Sequence, residues 1–159
     1  MLHKHKMIVN DIKVEIKKRY SDIVFIDKSD NDNLHLEFST QAQLEYKYSL
    51  WFRLNTISAS VGATLFNATE KQYFWYYPFD PYGSDTNEKK IEDCKDFLFE
   101  ALDILTKYKT RIIQKKGLFY QTFICDFLNQ NTWARYYKHS ALCGNFDFPI
   151  ITGRQQIYQ

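Results

Sequence analysis

Residues 44–54, LEYKYSLWFRL, put Leu44, Tyr46, Tyr48, Leu50, Phe52 and Leu54 on even positions and Glu45, Lys47, Ser49, Trp51 and Arg53 on odd ones. Such alternation is the period of a β-strand with one buried face. The link Asn55-Thr56 leads into ISASVGATLF (57–66), where Ile57, Ala59, Val61, Ala63 and Leu65 repeat the apolar phase. A hairpin closed at 54 and 57 sets Phe52 against Ala59 and Leu50 against Val61.

The same phase extends to both sides. Upstream, the turn-forming SDNDN (29–33) separates IVFIDK (23–28) from LHLEFS (34–39), and both read as strands. Pairing 38 with 46 places Leu36 against Tyr48 and Glu37 opposite Lys47; pairing 26 with 36 sets Asp27 beside His35. Downstream, YFWYYPFDPYG (73–83) holds seven aromatic rings and reads as a strand that runs into a loop. Pairing 65 with 73 places Val61 opposite Tyr77 and Ala63 opposite Trp75. A one-residue slip would turn every side chain to the other face, so hairpins that agree on one phase predict a five-stranded antiparallel meander. Burying one large side chain is worth about 1.5–3 kcal/mol. Seven rings left in water would forgo about 10 kcal/mol, comparable with the ~5–15 kcal/mol that stabilises a whole domain. Tyr73, Trp75, Tyr77 and Phe79 are therefore expected in the core, whereas Phe74 and Tyr76 fall on the opposite, mixed face with Trp51, Arg53 and His35.

Helices flank this sheet. MIVNDIKVEIKKRY (7–20) carries Ile8, Ile12, Ile16 and Tyr20 on one stripe. After the aromatic stretch, one long helix is expected to start at Asp85 and Glu88, carry a stripe from Ile91 to Ile112, and stop at Gly117. Its first half is acidic (Glu88, Glu92, Asp93, Asp96, Glu100, Asp103) and its last turns are basic (Lys107, Lys109, Arg111, Lys115, Lys116), an order that complements the helix dipole. Phe119, Phe123 and Phe127, four apart in LFYQTFICDFLN (118–129), predict a further C-terminal helix. The expected fold is thus α+β: an N-terminal helix, a five-stranded antiparallel meander, then a long helix and a C-terminal helix on one face. A chain of 159 residues is expected to form a single domain, 1–159.

Composition narrows the function. Glycine (5) and proline (3) are scarce, and the three cysteines follow no framework spacing, which predicts reduced thiols in a cytoplasmic protein. MLHKHKMIVNDIK lacks the apolar core of a signal peptide, and no apolar run suggests a membrane partner. Residues 1–106 hold 13 Lys/Arg and 17 Asp/Glu, whereas 107–159 hold 8 and 2. KYKTRIIQKKG and WARYYKH interleave bases with aromatics as single-strand binders do. With the basic run assigned to a helix end and the phenylalanines to the core, a nucleic-acid partner is not expected. Phosphate-loop, hydrolase-elbow and zinc-protease motifs are missing from the sequence. His139, Cys143 and Cys125 fall short of a zinc ligand pattern, so neither a metal nor a cofactor is expected. His35 with Asp27, near Trp51 and Arg53, is the one arrangement suggestive of an oriented base.

Three spaced tryptophans, Trp51 in SLWFRL, Trp75 in YFWYYPF and Trp133 in NTWARYY, set on this layout, resemble the TriTu immunity proteins of bacterial contact-dependent growth inhibition and polymorphic toxin systems. That resemblance implies a non-enzymatic binder that neutralises a cognate toxin, often a nuclease, by occluding it; a monomer is expected. Nuclease sites are basic, so acidic and hot-spot residues are the expected contacts: Asp30 and Asp32 in the turn, Trp51, Arg53 and Tyr76 on the sheet, Asp80, Tyr82 and Asp85 in the loop, and Glu88, Glu92, Asp93 and Asp96 on the helix. Two alternatives are a small-molecule binder or enzyme built around Trp51, Arg53, His35 and Tyr76, and a type III secretion chaperone-like protein.

Overall fold

The computed structural model describes residues 2–40, 43–65, 72–76, 86–116, 120–142 and 149–150. The chain divides into two compact units, Met1–Asp103 and Ile104–Gln159.

The first unit opens with α1 (Leu2–Arg19), followed by β1 (Ile26–Asp27), β2 (Asn33–Thr40), β3 (Gln43–Arg53), β4 (Ser58–Leu65), β5 (Gln72–Tyr76) and most of α2 (Asn87–Lys107). The strands lie side by side in chain order, all antiparallel. Alternation places Leu34, Leu36, Phe38, Tyr48, Leu50, Phe52, Leu54, Ala59, Val61 and Ala63 in the core with Val9, Ile12 and Ile16 of α1 and Cys94, Leu98, Ala101 and Leu102 of α2. Trp51 and Lys47 remain half-buried and Arg53 is exposed.

The strand pattern departs from expectation at one edge. Of the segment 23–28, Ile26 and Asp27 form the strand on β2, Lys28 adds one backbone N–H bond to His35 O at 2.8 Å, and Val24 is exposed. The Asp27 carboxylate accepts a hydrogen bond from the Ser29 backbone N–H at 3.0 Å, a local turn that ends the strand. A sheet of five full strands therefore does not form; four strands of substance, β2–β5, carry a two-residue edge. Registers also differ. Phe52 meets Ala59 and Leu50 meets Val61 as expected, but Leu36 meets Leu50, Val61 meets Trp75 and Ala63 meets Tyr73, each displaced by two residues with the phase kept. β1 is displaced by an odd number, so Asp27 faces Leu36 rather than His35. Tyr77 and Phe79 lie outside the described residues.

Thr86 begins α2: its hydroxyl accepts the Lys89 backbone N–H at 3.3 Å, in place of the cap expected from Asp85, which lies outside the described residues. Burial pushes the Cys94 thiol up to about 12, so it packs as an inert apolar group.

The second unit overturns the C-terminal helix. α2 stops at Lys107, and the chain continues as β6 (Thr110–Lys116), β7 (Tyr120–Asn129), β8 (Thr132–Leu142) and β9 (Pro149–Ile150), an antiparallel sheet in the order β6-β7-β8-β9. Thr110, Ile112, Ile113, Thr122, Phe123, Ile124 and Phe127 are β-branched or aromatic and favour a pleated strand. Gln130 and Asn131, at φ 45° and 67°, form the two-residue left-handed turn that joins β7 to β8. Ile124 and Cys125 are buried, and Tyr108 packs against Phe127 with ring centroids 5.1 Å apart.

Candidate partner-binding surfaces

In the first unit α1 and α2 lie next to one another. Tyr20 at the end of α1 donates its hydroxyl to Asp103 Oδ1 at 2.9 Å, and the Arg19 guanidinium sits 4.4 Å from the Phe99 ring centroid. Burial, then the hydrogen bond to Asp103, push the Tyr20 phenol far above its ordinary value.

Between the other ends of the helices runs a groove of about 280 Å³, lined by Lys4, Ile8, Asp11, Ile12, Glu15, Glu88, Ile91, Glu92 and Lys95. Its construction follows from helical periodicity. Ile8 and Ile12, and Asp11 and Glu15, recur at i,i+4 on α1; Glu88, Glu92 and Lys95, with Ile91, recur at i,i+3 and i,i+4 on α2. Isoleucines thus form the apolar lining, and four carboxylates against two lysines form the rim. Lys4 reaches Glu88 at 3.6 Å and Lys95 reaches Glu92 at 3.2 Å, while Arg19 pairs with Glu15. Such exposed pairs are worth about 0.2–1 kcal/mol each and exchange readily for a partner's cations. Asp11 has no ion-pair partner among the described residues. The volume is below the roughly 300–1,000 Å³ of pockets that enclose drug-sized ligands, so the groove suits protruding side chains.

A second cluster lies on the solvent side of the sheet. His35 stacks on Trp51 with ring centroids 4.9 Å apart and planes inclined by 25°. Glu37 is buried beneath Lys28 Nζ at 2.8 Å and Lys47 Nζ at 2.6 Å, with His35 Nε2 at 3.8 Å. Burial alone would raise the Glu37 carboxyl, but the hydrogen bonds from the two lysines outweigh it and hold it below the usual carboxylate range. The His35 pKa is lowered, chiefly by burial; Glu37 opposes the shift, and repulsion from Lys28, Lys47 and Arg53 adds to it. His35 Nε2 has no hydrogen-bond partner within the described residues. Here the surroundings favour the ionised form of a carboxylate and the neutral form of an imidazole.

The expected contact residues are scattered. Asp30 is spent locally: it accepts the backbone N–H of Asp32 and of Asn33 at 2.8 Å and the Asn33 side-chain amide at 2.9 Å, and these bonds, led by the Asn33 side chain, lower its pKa. Asp32 pairs with His5 Nδ1 at 2.9 Å. Asp27, paired not with His35 but with Lys13 at 2.9 Å, falls to about 2: burial opposes the shift, and hydrogen bonds from Lys13 and Ser29 outweigh it. Trp51 and Arg53 sit on the sheet with His35, and Tyr76 takes the register position opposite Ser60. Glu88 and Glu92 line the groove; Asp93 pairs with Lys89 at 2.8 Å and Asp96 is exposed outside the lining. Asp80, Tyr82 and Asp85 lie outside the described residues. Sequence reasoning missed Asp11, Glu15, Ile8 and Ile91 as a set; the i,i+4 spacing of Asp11 and Glu15 was the available signal.

No family model, curated protein or solved structure matches this chain. Neither described helix is long and apolar enough to cross a membrane.

Proposed function

We propose that this chain is a non-enzymatic cytoplasmic binding protein that docks a basic protein domain in the groove between α1 and α2. Its role on this reading is that of an immunity protein, neutralising a toxin by covering a cationic surface such as a nuclease site. The observation that carries it is the groove itself, an isoleucine lining under the rim carboxylates Asp11, Glu15, Glu88 and Glu92. An apolar patch inside a charged rim is the anatomy of a protein interface, and complementary charge speeds and orients association.

Co-expression with the product of the neighbouring reading frame tests this. A one-to-one complex on size-exclusion chromatography is expected, weakened by salt. The charge-reversed double variant Glu88→Lys with Glu92→Lys should lose it by tenfold or more in affinity. A complex indifferent to both reversals, or a partner whose docked surface is acidic, contradicts the reading.

A further inference from the structure

Of the basic run expected at a helix end, only Lys107 lies in α2. Arg111 and Lys115 belong to β6, beyond the end of α2, so the helix dipole does not account for them. The strands instead gather the bases on one side of the second sheet. Arg111, Asp126 and Arg135 form one row across β6, β7 and β8. Ile113, Ile124 and Lys138 form the next, and Lys115, Thr122 and Ser140 the one after. A bulge opposite Cys125 and Asp126 makes this possible: with Tyr136 as the inserted residue, Arg135 and Lys138 come to the same side, where unbroken alternation would separate them.

Asp126 organises the centre of this side. Its side chain is 4% exposed and accepts from Arg111 Nε at 3.2 Å and Nη2 at 3.1 Å, and from Arg135 Nε at 3.3 Å. Those bonds leave Nη donors on both guanidiniums, whose side chains are 42% and 37% exposed. The Arg111 guanidinium also lies over the Trp133 ring, 4.2 Å from its centroid, a cation–π contact. Lys115 and Lys138 are exposed and have no carboxylate partner among the described residues. Four cations against one carboxylate leave a strip about 10 Å wide and about 13 Å long by strand geometry.

We infer that this basic side of the C-terminal sheet, Arg111, Lys115, Arg135 and Lys138 with Trp133, binds single-stranded nucleic acid. Phosphates take the outward guanidinium and ammonium donors, and a base extends the Arg111–Trp133 contact, the combination that single-strand binders use. A fixed row of forked donors suits phosphate oxygens better than a flexible acidic peptide. The inference does not depend on the helical groove and stands or falls apart from it.

Fluorescence anisotropy of the intact chain with a labelled mixed-sequence 12-nucleotide DNA tests it. Three to four phosphate contacts at a slope of about −0.7 each predict that affinity falls about 20- to 50-fold between 50 and 200 mM salt. The exposed pair Lys115→Gln with Lys138→Gln leaves Asp126 and its arginines in place, and should reduce the salt slope by about 1.4. Trp133→Ala should weaken binding about tenfold with the slope kept. No anisotropy change at 50 mM salt overturns the inference, as does an unchanged slope in the double lysine variant. Competition by polyglutamate as effective as by unlabelled oligonucleotide overturns it in favour of an acidic polypeptide.

Discussion

Among the described residues, each sheet holds one buried carboxylate between two cations, and the two arrangements differ in what they leave over. Glu37 in the first sheet is clasped by Lys28 and Lys47, and Asp126 in the second by Arg111 and Arg135. An ammonium is a compact point charge on a flexible stem; a guanidinium is a rigid fork with five donors. The lysines turn their charge toward Glu37 and close over it. The arginines use part of their forks on Asp126 and present the rest outward. A buried acid therefore quiets one surface and shapes the other.

Removing the carboxylates breaks the comparison most directly. Asp126→Ala leaves two guanidiniums facing one another and should destabilise the second unit by about 2 kcal/mol in chemical denaturation. That is less than the roughly 3–5 kcal/mol of a fully buried broken pair, because both arginines reach water. Glu37→Gln should cost less, about 1 kcal/mol, since both lysines swing into solvent. Equal losses would erase the distinction between fork and point charge.

The smallest effect is a dependence on pH. His35, facing Trp51, Glu37, Lys28, Lys47 and Arg53, has a folded pKa below its ordinary 6.5. The unfolded chain therefore takes up the proton first, and stability is lost as pH falls below about 6.5. Glu37, below its ordinary 4.5, and Asp27, lowered to about 2, carry stability that is lost only in more acidic solution. Thermal midpoints from pH 7 to pH 3 should thus show two declines. His35→Phe should flatten the first and spare the second; a first decline unchanged in that variant would remove His35 as its source.

The first sheet was legible in its phase from β2 to β5, but in its register only at the β3–β4 hairpin. Period-two alternation says which side chains share a face, and Tyr48, Leu50 and Phe52 are buried while Arg53 is exposed. It does not say where neighbouring strands stop sliding; a bulge between Phe38 and Thr40 interrupts the β2–β3 register there. Lys47 finds Glu37 although Ser49 is the residue opposite, because a long side chain reaches a diagonal neighbour. The second sheet was lost to an ambiguity. Positions 119, 123 and 127 are four apart, and four residues fit one helical face and one strand face alike. The discriminating signals were the β-branched content of 110–124 and the turn Asn129-Gln130-Asn131. For the groove, Glu88 and Glu92 were legible as an acidic helix face, but the α1 half was not, because sequence does not say which helices become neighbours.

Hydrogen exchange on the complex with the neighbouring reading frame's product tests the central claim, docking in the groove between the two helices. Slowed exchange over residues 4–15 and 88–95 is the result predicted, fading as salt dissociates the complex. Protection confined to the C-terminal sheet, with both helical segments exchanging as in the free chain, would contradict it.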